Sequence, residues 1–454
     1  MEYPSDFIWG AASSAYQIEG AYKEDGKGLS IWDTFSHKRG TTFGNHTGDV
    51  ACDHYHLFKK DIALMKSLGI TNYRFSVSWP RIFPNGDNVL NAKGLAFYDA
   101  LVNELVKNDI TPFMTLYHWD LPQALSDCGG WLNRDNTDAF AEFAGFMAKH
   151  FSDRVTNYFT INEPQCIAYL GYSTGTHAPG LKLSDTEVMK VFHHLSLAHG
   201  KAVLSMRKMA SLPIRIGYAS TGMVCYPKTE SAEDIALAEK LTFSMPAEGE
   251  ESWGFVHQIM GDPVFLGHYT DLSDRFPDMD FSFRQEGDLA IINQPVDYLG
   301  INVYNGHKVS CKEPNGYVPK YPGYPRTAMK WPITPGVMNW GLHCIGNHYH
   351  TPVIVSENGL SCNDKIFLDG RVHDPDRIDF LSRYLNEMKK GIEKGSPVIG
   401  YFHWALTDNF EWYDGYNEHF GLVYVDFRTQ ERIVKDSGYW YRDYISLASN
   451  SSSD

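Results

Sequence analysis

Two glutamates stand at corresponding places in the chain, and their settings suit chemistry better than surface charge. Glu357 follows the apolar run Val353-Ile354-Val355, which Pro352 opens and Gly359 closes. Such a run fits a strand buried on both faces. Glu163 stands the same way after residues 157–161, in Asn162-Glu163-Pro164. A lone strand-end glutamate usually makes an ordinary salt bridge, because a carboxylate is costly to bury without a partner or a task. A pair changes the reading. Two carboxylates can cleave a glycosidic bond if one protonates the leaving oxygen while the other attacks the anomeric carbon. Their pKa values must then be pushed apart so that each does its own work at one pH.

The elements that must hold this pair are legible as an alternation. Residues 7–12, 71–79, 111–117, 157–161, 214–218, 296–304, 352–359 and 398–404 read as eight short strands. Between them lie helical stretches. Tyr55, Phe58, Ile62, Met65 and Leu68 recur at helical spacing within 49–68, and Gly69 ends them. Further helices are predicted over 95–106, 138–151, 189–206, 253–260 and 378–390. The pattern predicts an α/β fold, a (β/α)8 TIM barrel with extended βα loops. It would occupy residues 1–454 as one domain, with a polar tail from about 448. Eight strands would also suit two doubly wound domains, but no linker rich in Pro, Gly or Ser marks a boundary. Gln17, Arg74, His118, Asn162, Glu163, Asn302, Tyr304, Glu357 and Trp404 all fall at or near C-terminal strand ends. In a barrel those ends converge on one face, where active sites are built.

Composition narrows the partners. A net charge of −15 argues against nucleic acid or an anionic membrane. Seven scattered cysteines without a C-x-x-C pair read as reduced thiols. The N-terminus lacks a signal-peptide pattern, and no apolar run reaches membrane-spanning length, so a cytoplasmic protein is expected. Aromatic residues make up 14% of the chain, which suits either core packing or platforms for sugar rings. His54-x-His56 and His193-His194 raise the question of a metal hydrolase. Neighbours so spaced on a helix do not converge on one ion, and no acidic residue completes a ligand set. No metal or cofactor is expected.

From end to end the chain resembles glycoside hydrolase family 1, the β-glucosidase family. The resemblance is carried by Phe7-Ile8-Trp9-Gly10-Ala11-Ala12, Tyr16-Gln17-Ile18-Glu19-Gly20, Tyr73-Arg74-Phe75-Ser76 and Tyr117-His118-Trp119-Asp120-Leu121-Pro122. It continues through Thr160-Ile161-Asn162-Glu163-Pro164, Ser356-Glu357-Asn358-Gly359, the stretch from Trp404 to Trp412, and Phe420-Gly421-Leu422-Val423-Tyr424-Val425-Asp426. The resemblance implies a retaining β-glycosidase, with Glu163 as acid/base and Glu357 as nucleophile, roughly 5–5.5 Å apart. It implies that Arg74 and Tyr304 support the nucleophile, Arg74 keeping it ionised, while Glu163 keeps its proton through desolvation and the charge of Glu357. Gln17, His118, Trp119, Asn162, Asn302, Tyr304, Trp404, Glu411 and Trp412 would hold the sugar, and Trp331 would line the aglycone side. Small β-glucosides or cello-oligosaccharides would be the partners, and a homo-oligomer stays open.

Three positions bear on specificity. Relatives acting on phosphorylated sugars resemble this chain but carry Ser in place of Glu411, so a carboxylate there favours unphosphorylated glycosides. Gln165 replaces the family's usual Trp at a position expected to border the entrance, and Ser356 replaces the usual Thr, a milder change. Non-catalytic relatives lack one of the two glutamates, and this chain has both. Transglycosylation, and preference among glucoside, galactoside and fucoside, stay open on these residues.

Overall fold

In the computed structural model, which describes residues 3–246 and 253–450, the expected eight strands close on themselves. They are β1 (Ile8–Ala12), β2 (Asn72–Ser76), β3 (Thr111–Tyr117), β4 (Asn157–Asn162), β5 (Arg215–Thr221), β6 (Tyr298–Asn302), β7 (Val353–Asn358) and β8 (Val398–Trp404). Each pairs in parallel with its sequence neighbours, and β1 pairs with β8 to complete the barrel. All six residues of β7 are buried, as an apolar run flanked by helices requires.

The barrel interior is filled, not hollow. Phe113, Phe159, Tyr298, Ile354 and Phe402 pack there, with Phe113 and Phe402 edge to face at 5.0 Å. This plug is the floor beneath the C-terminal strand ends. The guanidinium of Arg74 lies 5.0 Å from the Phe159 ring, so the core directly supports a charged group above it. Register slips low in the barrel between Val398 and Gly400, and near the top between Phe159 and Asn162, Ile301 and Asn302, and Tyr401 and His403. Such irregularities re-aim side chains where a strand ends. Gly359 closes β7 because a Cβ there would lie 1.8 Å from the carbonyl oxygen of Trp404.

Helix boundaries depart from the apolar periodicity where caps or proline intervene. The helix expected over 189–206 runs Asp185–Met209, since Ser184 and Glu187 form a capping box that starts it earlier. The helix expected over 253–260 is broken into turns at Trp253–Phe255, Gln258–Gly261 and Asp262–Leu266, the last carrying Pro263. After Glu163 the chain enters a wide-turned helix, Cys166–Thr174, which periodicity did not signal. The terminal helix Asp436–Asn450 extends into the segment expected to be a tail, and residues 451–454 lie outside the described residues. Among the described residues, no helix is long and apolar enough to cross a membrane.

Candidate active site

The carboxylate of Glu357 is held from both sides. Arg74 Nη1 donates to Oε1 at 2.7 Å and the Tyr304 hydroxyl donates to Oε2 at 2.8 Å. Arg74 is itself fixed, by Nη1 to the Ser356 carbonyl at 3.0 Å, Nη2 to Asn162 Oδ1 at 2.6 Å and Nε to Thr115 Oγ1 at 3.2 Å. A guanidinium so bound cannot follow a moving partner, so it holds the nucleophile candidate in one place.

Glu163 sits one residue past β4 in the left-handed region, at φ +47°. Its backbone N–H donates to the Ala219 carbonyl at 2.8 Å. Its Oε1 accepts from Asn302 Nδ2 at 2.8 Å, and the Cys166 thiol also donates to its carboxylate. Asn302 Nδ2 reaches Asn162 Oδ1 as well, at 3.0 Å, and Asn302 Oδ1 accepts from Ser356 Oγ at 2.6 Å. The Ser that stands before Glu357 therefore orients the amide that touches Glu163.

These neighbours separate the two carboxyls electrostatically. Burial, and then the charge of Glu357, push Glu163 up to about 7. Burial raises Glu357 too, against the opposing pull of Arg74 and Tyr304. Arg74 thus favours the ionised form of Glu357, against a burial cost that acts on both groups. No cation pairs with Glu163 among the described residues, whereas Arg74 pairs with Glu357.

The other strand-end residues gather around this pair. His118 is buried and, through desolvation and nearby Arg74, stays neutral. Asn162 Oδ1 is already taken by two donors, so its Nδ2 faces His118 Nε2 at 3.1 Å, which places the imidazole proton on Nδ1. The His118 ring lies between Trp404 and Trp412, 5.9 Å from each and within about 20° of parallel to both. Trp119 donates Nε1 to the Asn162 carbonyl at 2.9 Å and packs 4.4 Å from Trp412. Trp119 and Trp412 share positive φ with Glu163, at +80° and +49°. Strained backbone at three wall residues of one cavity costs on the order of 1–3 kcal/mol each, and the fold around them sustains it.

Gln17 is fully buried. Ser14 donates to its Oε1 at 2.6 Å, and its Nε2 donates to Asn409 Oδ1, the Phe410 carbonyl and, at 3.4 Å, Glu411 Oε2. It thus contacts Glu411, which lines the cavity. Burial and the charge of Glu357, then of Asp414 and Glu163, push the Glu411 carboxyl well above the ordinary range.

His118, Trp119, Glu163, Glu357, Trp404, Glu411 and Trp412 line one cavity of about 450 Å³. Its remaining wall comes from loops. Leu170, His177, Met223, Phe255 and Met329 join Trp331, whose ring is 5.2 Å from that of Tyr304. Apart from Trp331, none of these was expected from the sequence, and neither was Cys166. Gln165 corrects an expectation outright. It does not border the entrance; it is fully buried, donating to Ser220 Oγ at 2.9 Å and accepting from the Thr221 N–H.

The histidine pairs weighed as metal ligands go to separate partners. His54 bonds Asp61, His56 bonds Asp53 and Glu24, His193 bonds Asp288, and His194 bonds the Trp131 carbonyl. Asp364, Asp408 and His419 cluster elsewhere, and the Lys435 ammonium donates to both carboxylates. All seven cysteines are free.

With this geometry in place, likeness to known proteins is informative. The model of glycosyl hydrolase family 1 matches residues 1–450, and the chain belongs to that family. It is 45% identical to beta-glucosidase A of Acetivibrio thermocellus, over 98% of each chain. It is 38% identical to a bifunctional beta-D-glucosidase/beta-D-fucosidase of Bifidobacterium breve, again over 98% of each. The solved structure of the Thermotoga maritima beta-glucosidase in complex with glucoimidazole superposes with a TM-score of 0.88 at 40% identity, covering 98% of this chain and 99% of that one.

Proposed function

We propose that this protein is a retaining β-glucosidase that releases terminal, unphosphorylated β-D-glucosyl residues from small β-glucosides or cello-oligosaccharides. The observation that carries the reading is the pair of buried glutamates in one cavity, linked through Asn302, with a cation on one and, among the described residues, none on the other.

Glu357, as carboxylate, attacks the anomeric carbon while Glu163 gives its proton to the departing oxygen. The aglycone leaves as an alcohol, and the sugar stays as an ester on Glu357. Esterification removes the charge that raised Glu163, so its carboxyl becomes more acidic and now takes a proton from water. That water attacks the same carbon, Glu357 departs as carboxylate, and two inversions give retention. Tyr304 and Arg74 receive the carboxylate back in its starting position. His118, Trp119, Asn162, Trp404, Glu411 and Trp412 hold the sugar, with Gln17 positioning Glu411, and Trp331 lines the aglycone side. No cofactor is needed for these steps. With a net charge of −15, nucleic acid and anionic membranes do not suit as partners.

A nitrophenyl glycoside panel tests the reading. The β-glucoside should be cleaved and the α-glucoside should not. The 6-phospho-β-glucoside should be turned over far more slowly than the β-glucoside. Comparable kcat/KM for the phosphorylated and free sugars would overturn the assignment of the acid-lined sugar wall.

A further inference from the structure

Tyr413 belongs to the short turn Trp412–Asp414 and is 49% exposed beside the buried Trp412. It lines the substrate cavity. It also lines a separate groove of about 310 Å³ between residues 35–41 and residues 174–182. The second segment presses against the first, since a Cβ on Gly180 would lie 2.8 Å from the Phe35 ring. The groove is thus a continuation of the cavity across one exposed aromatic ring, and its volume is within the range of ligand sites.

Its chemistry differs from that of the cavity. Lys38 and Lys182 line it, and no acidic residue does. Neither ammonium has an ion-pair or hydrogen-bond partner among the described residues. The Thr41 and Thr174 hydroxyls already donate within the protein. Thr41 donates to the Phe35 carbonyl at 2.6 Å, and Thr174 to the Leu170 carbonyl at 3.3 Å while contacting Thr176 at 2.9 Å. What the groove offers is therefore two positive charges, in a chain of net charge −15 whose catalytic cavity is lined by acids.

We propose that this groove is a distal subsite that takes an anionic group, such as a sugar-acid carboxylate, at the far end of an extended β-glucoside, with Tyr413 as the platform between. The inference rests on the β-glucosidase reading. The two lysine ammonium groups favour the anionic end in the groove. Aryl glucosides are too short to reach past Tyr413.

The test compares kcat/KM for cellotriose and for its aldonic acid, cellotrionate, with nitrophenyl β-glucoside measured in parallel. The wild type should favour cellotrionate by about threefold or more at low salt, the scale of exposed ion pairs. The preference should vanish near 1 M salt, where screening acts within about 3 Å. The double variant K38Q/K182Q should lose it without change on the nitrophenyl glucoside, and K38R/K182R should keep it. Equal rates on the two trisaccharides in the wild type, or a preference that survives in K38Q/K182Q, would overturn the subsite. Failure to cleave the nitrophenyl glucoside would instead overturn the β-glucosidase reading.

Discussion

The ends of β4 and β7 present the same side chain to the same cavity, and the protein makes the two unequal. At β7 a pinned guanidinium and a phenol hydroxyl both point at Glu357. At β4 an amide and a thiol bond the Glu163 carboxylate, with no cation paired to it among the described residues. Desolvation acts on both, so burial alone would leave two protonated acids and no nucleophile. The division of labour comes from the neighbours, and most of these sit on other strands: Arg74 on β2, Asn302 on β6, Tyr304 just beyond it. A barrel brings such residues to one face without any of them being near in sequence.

The largest effect should come from removing the nucleophile side of this contrast. Glu357→Ala should bring turnover of nitrophenyl β-glucoside to the detection limit, on the scale of the roughly 10⁶-fold losses seen when a nucleophile is deleted. Added azide should restore slow formation of the α-glycosyl azide, since the small anion fills the vacated position. Rapid residual hydrolysis with the β-product would break the assignment.

Glu163→Gln removes the proton and keeps the shape. Turnover of alkyl glucosides should fall about 10²–10⁴-fold, and that of dinitrophenyl glucoside much less, since its leaving group needs no proton. The wild-type kcat/KM should fall as pH rises through about 7, and this limb should be missing from the variant. Stability gives a second readout of the same group. A carboxyl whose folded pKa lies above its unfolded value stabilises the fold at low pH, and that contribution is lost as pH rises from its ordinary value of 4.5 to about 7. Glu163→Gln should therefore raise Tm at pH 8 more than at pH 4.5. The opposite order would contradict the buried, raised acid.

Tyr304→Phe should have the smallest effect and sharpen the comparison most. It removes one hydrogen bond to a buried carboxylate, a loss of about 1.5–3 kcal/mol, and so lowers kcat by roughly 10- to 150-fold. Because that bond helps hold Glu357 down, the acidic limb of the pH profile should move to higher pH, with the basic limb little changed. A shift confined to the basic limb would mean that the two roles were exchanged.

The strand-end side of the site was legible in the sequence and, Trp331 apart, the wall between the strands was not, for a physical reason. Arg74, His118, Asn162, Asn302, Glu357 and Trp404 lie on or beside strands, where alternation and a stop signal locate the C-terminal end. Leu170, Met223, Phe255 and Met329 come from wide-turned or irregular segments, whose paths follow no period. Gln165 shows how local the error is. The wide-turned helix that starts at Cys166 turns Cys166 toward Glu163 and Gln165 inward to Ser220, a choice no residue pattern announces. Gln17 was placed at the right strand end, but its amide is spent on the 409–411 segment, which only the folded contacts reveal.

The central claim is that Glu357 forms a covalent bond to the sugar while Glu163 moves protons. A 2-deoxy-2-fluoro-β-glucoside with a good leaving group tests it most directly, because fluorine slows both steps and loss of the intermediate most of all. The account predicts stoichiometric inactivation, with the added mass on the peptide containing Val355-Ser356-Glu357-Asn358, and β-glucose as the first product seen by NMR in the uninhibited reaction. A label on the Glu163 peptide, or α-glucose as first product, would contradict it.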